Sequence, residues 1–213
     1  MSDEEVGNSD SGESETPQVF LIDTSSDSLL KTRTINLFGV LDEERLIDVV
    51  QSLVALRGTC KDLEPGEADG ELVEASNPIK FYISTWGGDV LGMFAIYDMM
   101  RHVREECIIE TVGLGKVMSA GVLLLASGTK GHRKVGKNTR IMLHNVQAGY
   151  YGSLPSLENE LSETLRMQDQ MIAALVAETN LTTRQLKKML DKKVDVYIGA
   201  EEAVELGIAD III

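Results

Sequence analysis

The feature that most constrains the fold is a change of hydrophobic period that recurs along the middle of the chain. Residues 79–84 form a β-rich run, and the glycines at positions 87 and 88 predict a turn after it. Apolar residues at helical spacing follow over residues 90–100. Residues 107–112 form the next β-rich run, an apolar helical run follows at 122–126, and residues 141–143 form a further buried strand. Strands that alternate with helices predict a parallel sheet with right-handed βαβ connections, which is the α/β fold class.

Further elements are predicted on either side of this central pattern. Residues 29–39 contain an apolar pair and then an alternating pattern, which predicts an opening strand. A helix is predicted from a cap at Asp42 to a stop at Gly58. The elements predicted toward the other end are a long helix from a cap at Ser156 to about residue 178, a second helix from near Thr182 and a closing strand over residues 208–213.

The chain is predicted to form one domain with an acidic tail. Its 213 residues and apolar fraction of 43% suit a single domain with a substantial core. Residues 1–28 are predicted to be a disordered acidic tail, because a segment so poor in apolar residues cannot offset its ordering entropy. The domain is predicted over residues 29–213. Within it, residues 57–78 are rich in Gly, Pro, Glu and Asp and are predicted to be an inserted surface loop, with or without a function.

The charge of the chain argues against two classes of partner. The formal net charge is −14, and eight of the 34 acidic residues lie in the first 30 positions, which hold no Lys or Arg. We therefore expect neither nucleic acid nor a membrane as a partner, since both require a basic surface. No run approaches the length of a membrane span, and the acidic N-terminus is unlike a secretory signal.

The cysteine content bears on the compartment. Cys60 and Cys107 are too few and too unpatterned to predict a disulfide framework or a metal site, and the three His are not at ligand spacing relative to them. A reducing cytoplasm is accordingly the predicted compartment. Neither a metal nor a cofactor is predicted.

A candidate nucleophile lies in the segment 115–121. Ser119 stands there between small residues, directly before the apolar run at 122–126. The start of a buried helix has free N–H groups and a dipole that favour negative charge, which suits a nucleophilic serine. Small residues also occur there when a helix only packs tightly on a sheet, so the segment alone leaves both interpretations open. Residues 85–88, Ser119 and His144 nevertheless all follow predicted strands, and the carboxyl ends of parallel strands are where functional residues gather.

Several motifs occur in a fixed order along the chain. They are Gly87-Gly88, Ser119-Ala120-Gly121, residues 126–131, the strand 141–143 that enters His144, Asp195-Val196-Tyr197 and residues 199–203. From about residue 29 to residue 213 this order resembles the proteolytic subunit of Clp proteases, the ClpP family. The resemblance implies a ClpP/crotonase-like fold, in which stacked ββα units and a parallel sheet form a single domain. It also implies a serine endopeptidase that cleaves unfolded proteins and peptides.

The resemblance implies a catalytic triad. Ser119 would be the nucleophile, His144 the general base, and Asp195 the group that fixes the tautomer of the base. A hydrogen-bonded core histidine is the alternative interpretation of His144. Asp191 is the rival of Asp195, because it lies one helical turn earlier.

The resemblance also implies where the substrate binds. The backbone N–H groups of Gly88 and Ala120 would form the oxyanion hole, and glycine at position 88 lets the chain come close to a substrate carbonyl. The residues expected to bind substrate are Gly87, Asn145, Val146 and Gln147.

Three departures from the family pattern affect the same region. Trp86 stands where the family usually has proline, which removes a residue that fixes φ. Ala120 stands where Met usually follows the nucleophile, and this opens space near the specificity pocket. Asn145 and Val146 replace the usual Gln-Pro after His144. None removes a catalytic group, so we expect them to affect turnover and cleavage preference.

The resemblance implies an assembly as well. Two stacked seven-membered rings of this chain would enclose the sites and receive polypeptides from a Clp-type AAA+ ATPase. The segment 148–171 is expected to make ring contacts, because its helix has an apolar stripe that a monomer would expose. Two other functions stay open: a non-catalytic or modulating subunit of a mixed ring, and an acyl-CoA hydratase or isomerase of related fold. The set Ser119, His144 and Asp195 favours the peptidase.

Overall fold

The structure, a computed structural model, describes residues 26–65, 72–191 and 194–213. Within these ranges the helices are α1 (Ser26–Thr32), α2 (Glu43–Arg57), α3 (Val90–Val103), α4 (Ala120–Ala126), α5 (Leu154–Glu178), α6 (Thr183–Leu190) and α7 (Ala200–Glu205). The strands are β1 (Thr34–Leu41), β2 (Lys61–Pro65), β3 (Leu72–Ser76), β4 (Ile79–Gly88), β5 (Ile109–Met118), β6 (Arg133–Val135), β7 (Arg140–Leu143), β8 (Val196–Ile198) and β9 (Ile211–Ile212).

The main sheet is mostly parallel. Its central order is β1-β4-β5-β6-β9, while β2 and β3 form a separate two-stranded sheet. Strand β5 pairs with β6 over residues 111–113 and with β7 over residues 116–118, and β8 then pairs with β7. The β7–β8 pair is antiparallel, whereas the other pairs of this sheet are parallel. The predicted α/β class with a parallel sheet is therefore confirmed, with one antiparallel pair added at the β7 side.

Helix α4 lies at the centre of the core. All seven of its residues are buried. It packs against strands β4 and β5 on one side and against helices α3 and α5 on the other. A helix that is apolar all round is stable only when it is surrounded in this way. Its position fixes the preceding residue, Ser119, at the carboxyl edge of the sheet.

Local signals placed several helix ends correctly. The Asp42 side chain caps α2, and α2 ends directly before Gly58. Helix α6 begins near Thr182, as the sequence predicts, and Thr182 caps it within a capping box. The predicted cap of the long helix is wrong, since α5 has its N-cap at Ser153 and Ser156 lies in its first turn.

Two strands are longer than predicted. Strand β4 continues through Gly87 and Gly88, where the glycines predict a turn, and β5 continues through Gly113 and Gly115. The pairing of β4 with β1 and with β5 shifts register near these positions. Glycine inside a strand often marks such an irregularity rather than the end of the strand.

The opening strand begins later than its apolar pattern predicts. Leu29 and Leu30 belong to helix α1, and β1 begins at Thr34. Between the two elements Arg33 has φ +50°, a left-handed conformation that ends the helix. The Arg33 side chain is buried and donates a hydrogen bond of 3.4 Å to the Leu56 carbonyl at the end of α2.

The two ends of the chain also differ from their predictions. Helix α1 begins within the segment 1–28 that the composition predicts as tail, and residues 1–25 lie outside the described residues. The closing strand predicted over residues 208–213 is reduced to the short strand β9. Among the described helices, none combines the length and the apolar character that a membrane crossing requires.

The predicted surface loop at 57–78 contains a β-hairpin made of β2 and β3, and residues 66–71 between them lie outside the described residues. Cys60, directly before β2, forms a disulfide with Cys107, and their Cα atoms are 5.2 Å apart. The sequence predicts no disulfide framework, and this bond was not predicted, because a bond across 47 residues leaves no local spacing signal. Disulfides are typical of oxidising compartments, so the cysteines no longer support the predicted cytoplasm.

A buried polar network joins α3, α5 and β6. Arg104 donates hydrogen bonds of 2.7 and 2.9 Å to the Glu178 carboxylate, and the Tyr97 hydroxyl donates one of 3.1 Å. Arg133 donates to the Glu178 carbonyl at 2.8 Å and to Asp210 at 2.9 Å. Burial alone would raise the pKa of Glu178, but the hydrogen bonds and charge of Arg104 hold that pKa below its usual range. Burial and the Glu178 charge raise the pKa of Tyr97 to about 12.

Candidate active site

Ser119 lies at a sharp turn from strand to helix. It follows the last residue of β5 and precedes the first residue of α4. Its φ is +54° and its ψ is −119°, a conformation that non-glycine residues rarely adopt. Its backbone N–H donates a hydrogen bond of 2.8 Å to the Met142 carbonyl of β7. A strained turn of this kind presents a serine side chain above the edge of a sheet, as in the nucleophile elbow of hydrolases.

The backbone at Gly87 passes directly against Ser119. Its φ is +87°, and a Cβ atom at this position would lie 2.5 Å from the Ser119 Cβ and 2.9 Å from the Met118 carbonyl oxygen. Only glycine fits such an approach without displacement. The buried Thr85 side chain fixes this segment, because its hydroxyl accepts from the Gly87 N–H at 3.0 Å and donates to the Gly39 carbonyl at 2.7 Å.

Gly88 is fixed from the opposite side. A Cβ atom there would lie 2.1 Å from the Leu41 carbonyl oxygen of β1. The Gly87-Gly88 segment is therefore held between Ser119 and strand β1. Ala120, as the first residue of α4, has a backbone N–H with no acceptor inside the helix. Gly88 and Ala120 thus place two backbone segments beside Ser119.

A cavity of about 400 Å³ opens next to Ser119. Its lining residues are Trp86, Gly88, Asp89, Val90, Met93, Ser119, Ala120, His144, Asn145, Val146, Gln147 and Met171. The structure thus brings most of the predicted site residues to one cavity. Two do not line it: Gly87, which lies against Ser119, and Asp195.

Strand pairing places Asp195 opposite His144. The last pair of the antiparallel strands β7 and β8 joins Leu143 to Val196. His144 follows Leu143 and Asp195 precedes Val196, so the two occupy the next opposed position. The Nδ1 atom of His144 is buried without a hydrogen-bond partner. Within the described part of the chain, no hydrogen bond joins His144 to Ser119 or to Asp195.

The loop after His144 is held by two helices. The Val146 N–H donates a hydrogen bond of 2.7 Å to the side chain of Gln168 in α5. The Asn145 side-chain amide donates one of 3.0 Å to the Leu190 carbonyl at the end of α6. Asn145 is therefore engaged in a structural contact as well as lining the cavity. Gln168 lies within the predicted long helix, and nothing in the local sequence indicates its partner.

Other cavity residues had no predicted role in the site. Val90 and Met93 belong to the predicted stripe of α3, and Met171 belongs to α5. Asp89 caps α3 and its carboxylate accepts from the Gly92 N–H. These side chains reach the cavity because α3 and α5 both pack against α4, an arrangement that only the folded chain shows.

No group of three or more His, Cys, Asp or Glu side chains among residues 26–65, 72–191 and 194–213 is arranged to hold a metal ion. The arrangement at Ser119 instead combines a hydroxyl, an imidazole and backbone donors. These are the groups that acyl transfer to serine requires.

The sequence also matches a known protein family over most of its length. The model of the family described as Clp protease matches residues 21–213. The chain belongs to the Clp protease family.

Three curated relatives show the extent of the similarity. The ATP-dependent Clp protease proteolytic subunit of Deinococcus radiodurans is 36% identical over 145 residues, which cover 67% of this chain and 69% of the relative. Proteolytic subunit 1 of Corynebacterium glutamicum is 33% identical over 183 residues, 85% of this chain and 79% of the relative. Proteolytic subunit 1 of Tropheryma whipplei is 30% identical over 184 residues, 85% of this chain and 80% of the relative.

Proposed function

We propose that this chain is the proteolytic subunit of an ATP-dependent Clp protease and a serine endopeptidase that uses Ser119, His144 and Asp195. The observation that carries the proposal is the strained turn at Ser119, which opens into the cavity that His144 also lines. The names of the relatives support the same activity.

The mechanism follows from the positions of these groups. The Ser119 hydroxyl attacks the scissile carbonyl while His144 takes its proton, and His144 then protonates the leaving amine. The N–H groups of Gly88 and Ala120 stabilise the oxyanion, and water afterwards hydrolyses the acyl-enzyme. Asp195 orients the His144 ring and stabilises its charged form. Since the structure has neither triad hydrogen bond, formation of both is a step that precedes the chemistry.

The assembly into two stacked seven-membered rings with a Clp-type AAA+ ATPase is part of this proposal. Helix α5 supports it, because Leu161 and Leu165 are each 58% exposed and Leu154 and Tyr151 are exposed nearby. An exposed apolar stripe of this kind usually marks an interface. Unfolded polypeptides would then reach Ser119 only through the interior of the rings.

A fluorophosphonate probe tests the proposal. We expect the probe to label the assembled protein at Ser119, and we expect Ser119→Ala to lose both labelling and peptide hydrolysis while it keeps its folding and particle mass. If the assembled wild-type protein is not labelled, the chain is a non-catalytic subunit. Labelling at another serine would instead show that this other serine, not Ser119, is the nucleophile.

A further inference from the structure

We propose that Trp86 is a specificity-determining residue, which forms an aromatic wall of the catalytic cavity and favours substrates with an aromatic side chain next to the scissile bond. This inference rests on the proposed peptidase function. Trp86 is proposed to select substrates rather than to take part in hydrolysis, so its role can be disproved while the peptidase function stands.

The backbone holds Trp86 beside the nucleophile. Gly87, the next residue, lies against Ser119, and Thr85, the preceding one, is anchored to the Gly39 carbonyl by a hydrogen bond of 2.7 Å. The backbone of Trp86 is therefore held in place by the residue on each side of it. Trp86 itself lines the cavity that Ser119 and His144 line.

The Trp86 ring is supported but not covered. The Lys116 ammonium lies 4.8 Å from the ring centroid, a cation–π contact that restrains the side chain. Trp86 is nevertheless 58% exposed. A large aromatic surface thus stays open at the cavity, and it is oriented before a substrate arrives. Restraint of this kind lowers the entropy that binding costs.

The rest of the cavity suits an uncharged ring. Val90 and Val146 are aliphatic, and the thioethers of Met93 and Met171 make favourable contacts with aromatic rings. The Asp89 carboxylate is engaged with the N-terminus of α3. The same cavity repels an acidic side chain through Asp89 and offers a basic one no second carboxylate among its lining residues. An aromatic side chain gains most from this combination, because it packs on Trp86 and between the methionines.

The test is a comparison of kcat/KM for matched fluorogenic peptides that differ at one residue, Phe or Ala, on either side of the scissile bond. For Trp86→Ala we expect the preference for the Phe peptide over the Ala peptide to fall about three- to tenfold, the range for loss of an aromatic pair. Trp86→Phe should keep most of the preference. Trp86→Leu keeps an apolar side chain without a ring, so it should lose the preference for the Phe peptide. This variant replaces Trp86→Ala in the test if Trp86→Ala does not fold.

Leu91→Ala is the matched control, because Leu91 is 61% exposed near the cavity but does not line it. We expect it to leave the preference unchanged. An unchanged preference in both Trp86→Ala and Trp86→Leu, or an equal loss for both peptides, overturns the specificity role. In those cases fluorophosphonate labelling of wild-type Ser119 still supports the peptidase, whereas absence of labelling in the wild-type protein contradicts the proposed function itself.

Discussion

His144 and Asp195 occupy opposed positions one residue beyond the last pair of strands β7 and β8, which joins Leu143 to Val196. Residues opposed on antiparallel strands have Cβ atoms about 4.5–5.5 Å apart, which is within reach of a side-chain hydrogen bond. The antiparallel pairing of β7 and β8 therefore places a carboxylate from beyond α6 opposite the histidine that follows β7. This position supports Asp195, rather than Asp191, as the proposed partner of His144.

The first prediction concerns these two aspartates. Asp195→Asn should lower kcat for peptide hydrolysis about 10³–10⁴-fold, because an amide neither selects the productive tautomer of His144 nor stabilises its charged form. Asp191→Asn is the control, since Asp191 is exposed at the end of α6. It should keep a rate near that of the wild type. If Asp191→Asn proves the more damaging change in steady-state assays, the two roles must be exchanged.

The second prediction concerns the approach of Gly87 to Ser119. Gly87→Ala places a Cβ atom 2.5 Å from the Ser119 Cβ, so the strained turn has to move. Gly39→Ala is the matched control, because Gly39 has φ +90° but nothing lies within 4 Å of its added Cβ. Both variants carry the cost of a left-handed backbone, about 1–3 kcal/mol.

Only Gly87→Ala should also lose labelling of Ser119 and peptide hydrolysis. Urea unfolding measures the shared loss of stability, and fluorophosphonate labelling of the folded protein measures the difference. Equal labelling of the two variants would show that the close approach does not position the nucleophile.

Features that depend on residues close together in the sequence could be predicted, whereas features that depend on distant residues could not. Three features could be predicted: the cap Asp42, the start of α6 near Thr182 and the serine before α4. Each signal lies within a few residues of the structure it specifies. The family resemblance supplied the proposed triad, but the position of Asp195 opposite His144 depends on pairing between β7 and β8. The two strands are separated in the sequence by α5 and α6, and the spacing of hydrophobic residues does not indicate their register.

The features that the sequence did not predict have the same cause. Glycines 87 and 88 predict a turn locally, but contacts with Ser119 and Leu41 keep them in β4. The bond between Cys60 and Cys107 likewise depends on the packing of α2 against α3, because each cysteine lies a few residues after the end of one of these helices. Close backbone approaches and long-range bonds follow from topology, so only the folded chain shows them.

The third prediction is that Glu178 makes the free energy of unfolding depend on pH in the acid range. The pKa of Glu178 is lower in the folded chain than its ordinary value of 4.5, so the unfolded chain binds more protons as the pH falls. The stabilisation is complete above the ordinary pKa and is lost as the pH falls through the lower folded pKa. Glu178→Gln should therefore lower the free energy of unfolding at pH 7 by about 1–3 kcal/mol, the value of hydrogen bonds to a buried charge.

The difference between Glu178→Gln and wild type should shrink as the pH falls below 4.5, because the carboxyl group of the unfolded wild-type chain then becomes protonated. It should be lost once the carboxylate of the folded chain is protonated as well. Urea unfolding at a series of pH values and one protein concentration measures it. Glu163→Gln is the control, since Glu163 also pairs with an arginine, Arg166, but at the surface. A pH-independent difference for Glu178→Gln would contradict the role of its charge.

The last prediction concerns assembly through α5. Leu161 and Leu165 are each 58% exposed on this helix, whereas Met171, Ile172 and Leu175 farther along it are buried. The first part of α5 is therefore left uncovered by its own chain while the second part belongs to the core. Replacing Leu161 and Leu165 together with Glu should yield smaller particles in light scattering without unfolding the chain, because the carboxylates disrupt only a contact between copies.

Val54→Glu is the matched control for this experiment, since Val54 is 57% exposed on α2 and lies away from α5. It should leave the particle mass unchanged. Peptidase activity of the α5 variant should fall in parallel with its mass, because the proposed peptidase acts as an assembly of rings. An unchanged mass with both leucines replaced would show that copies associate through another surface, and an unchanged activity in smaller particles would show that a single chain can align Ser119 and His144.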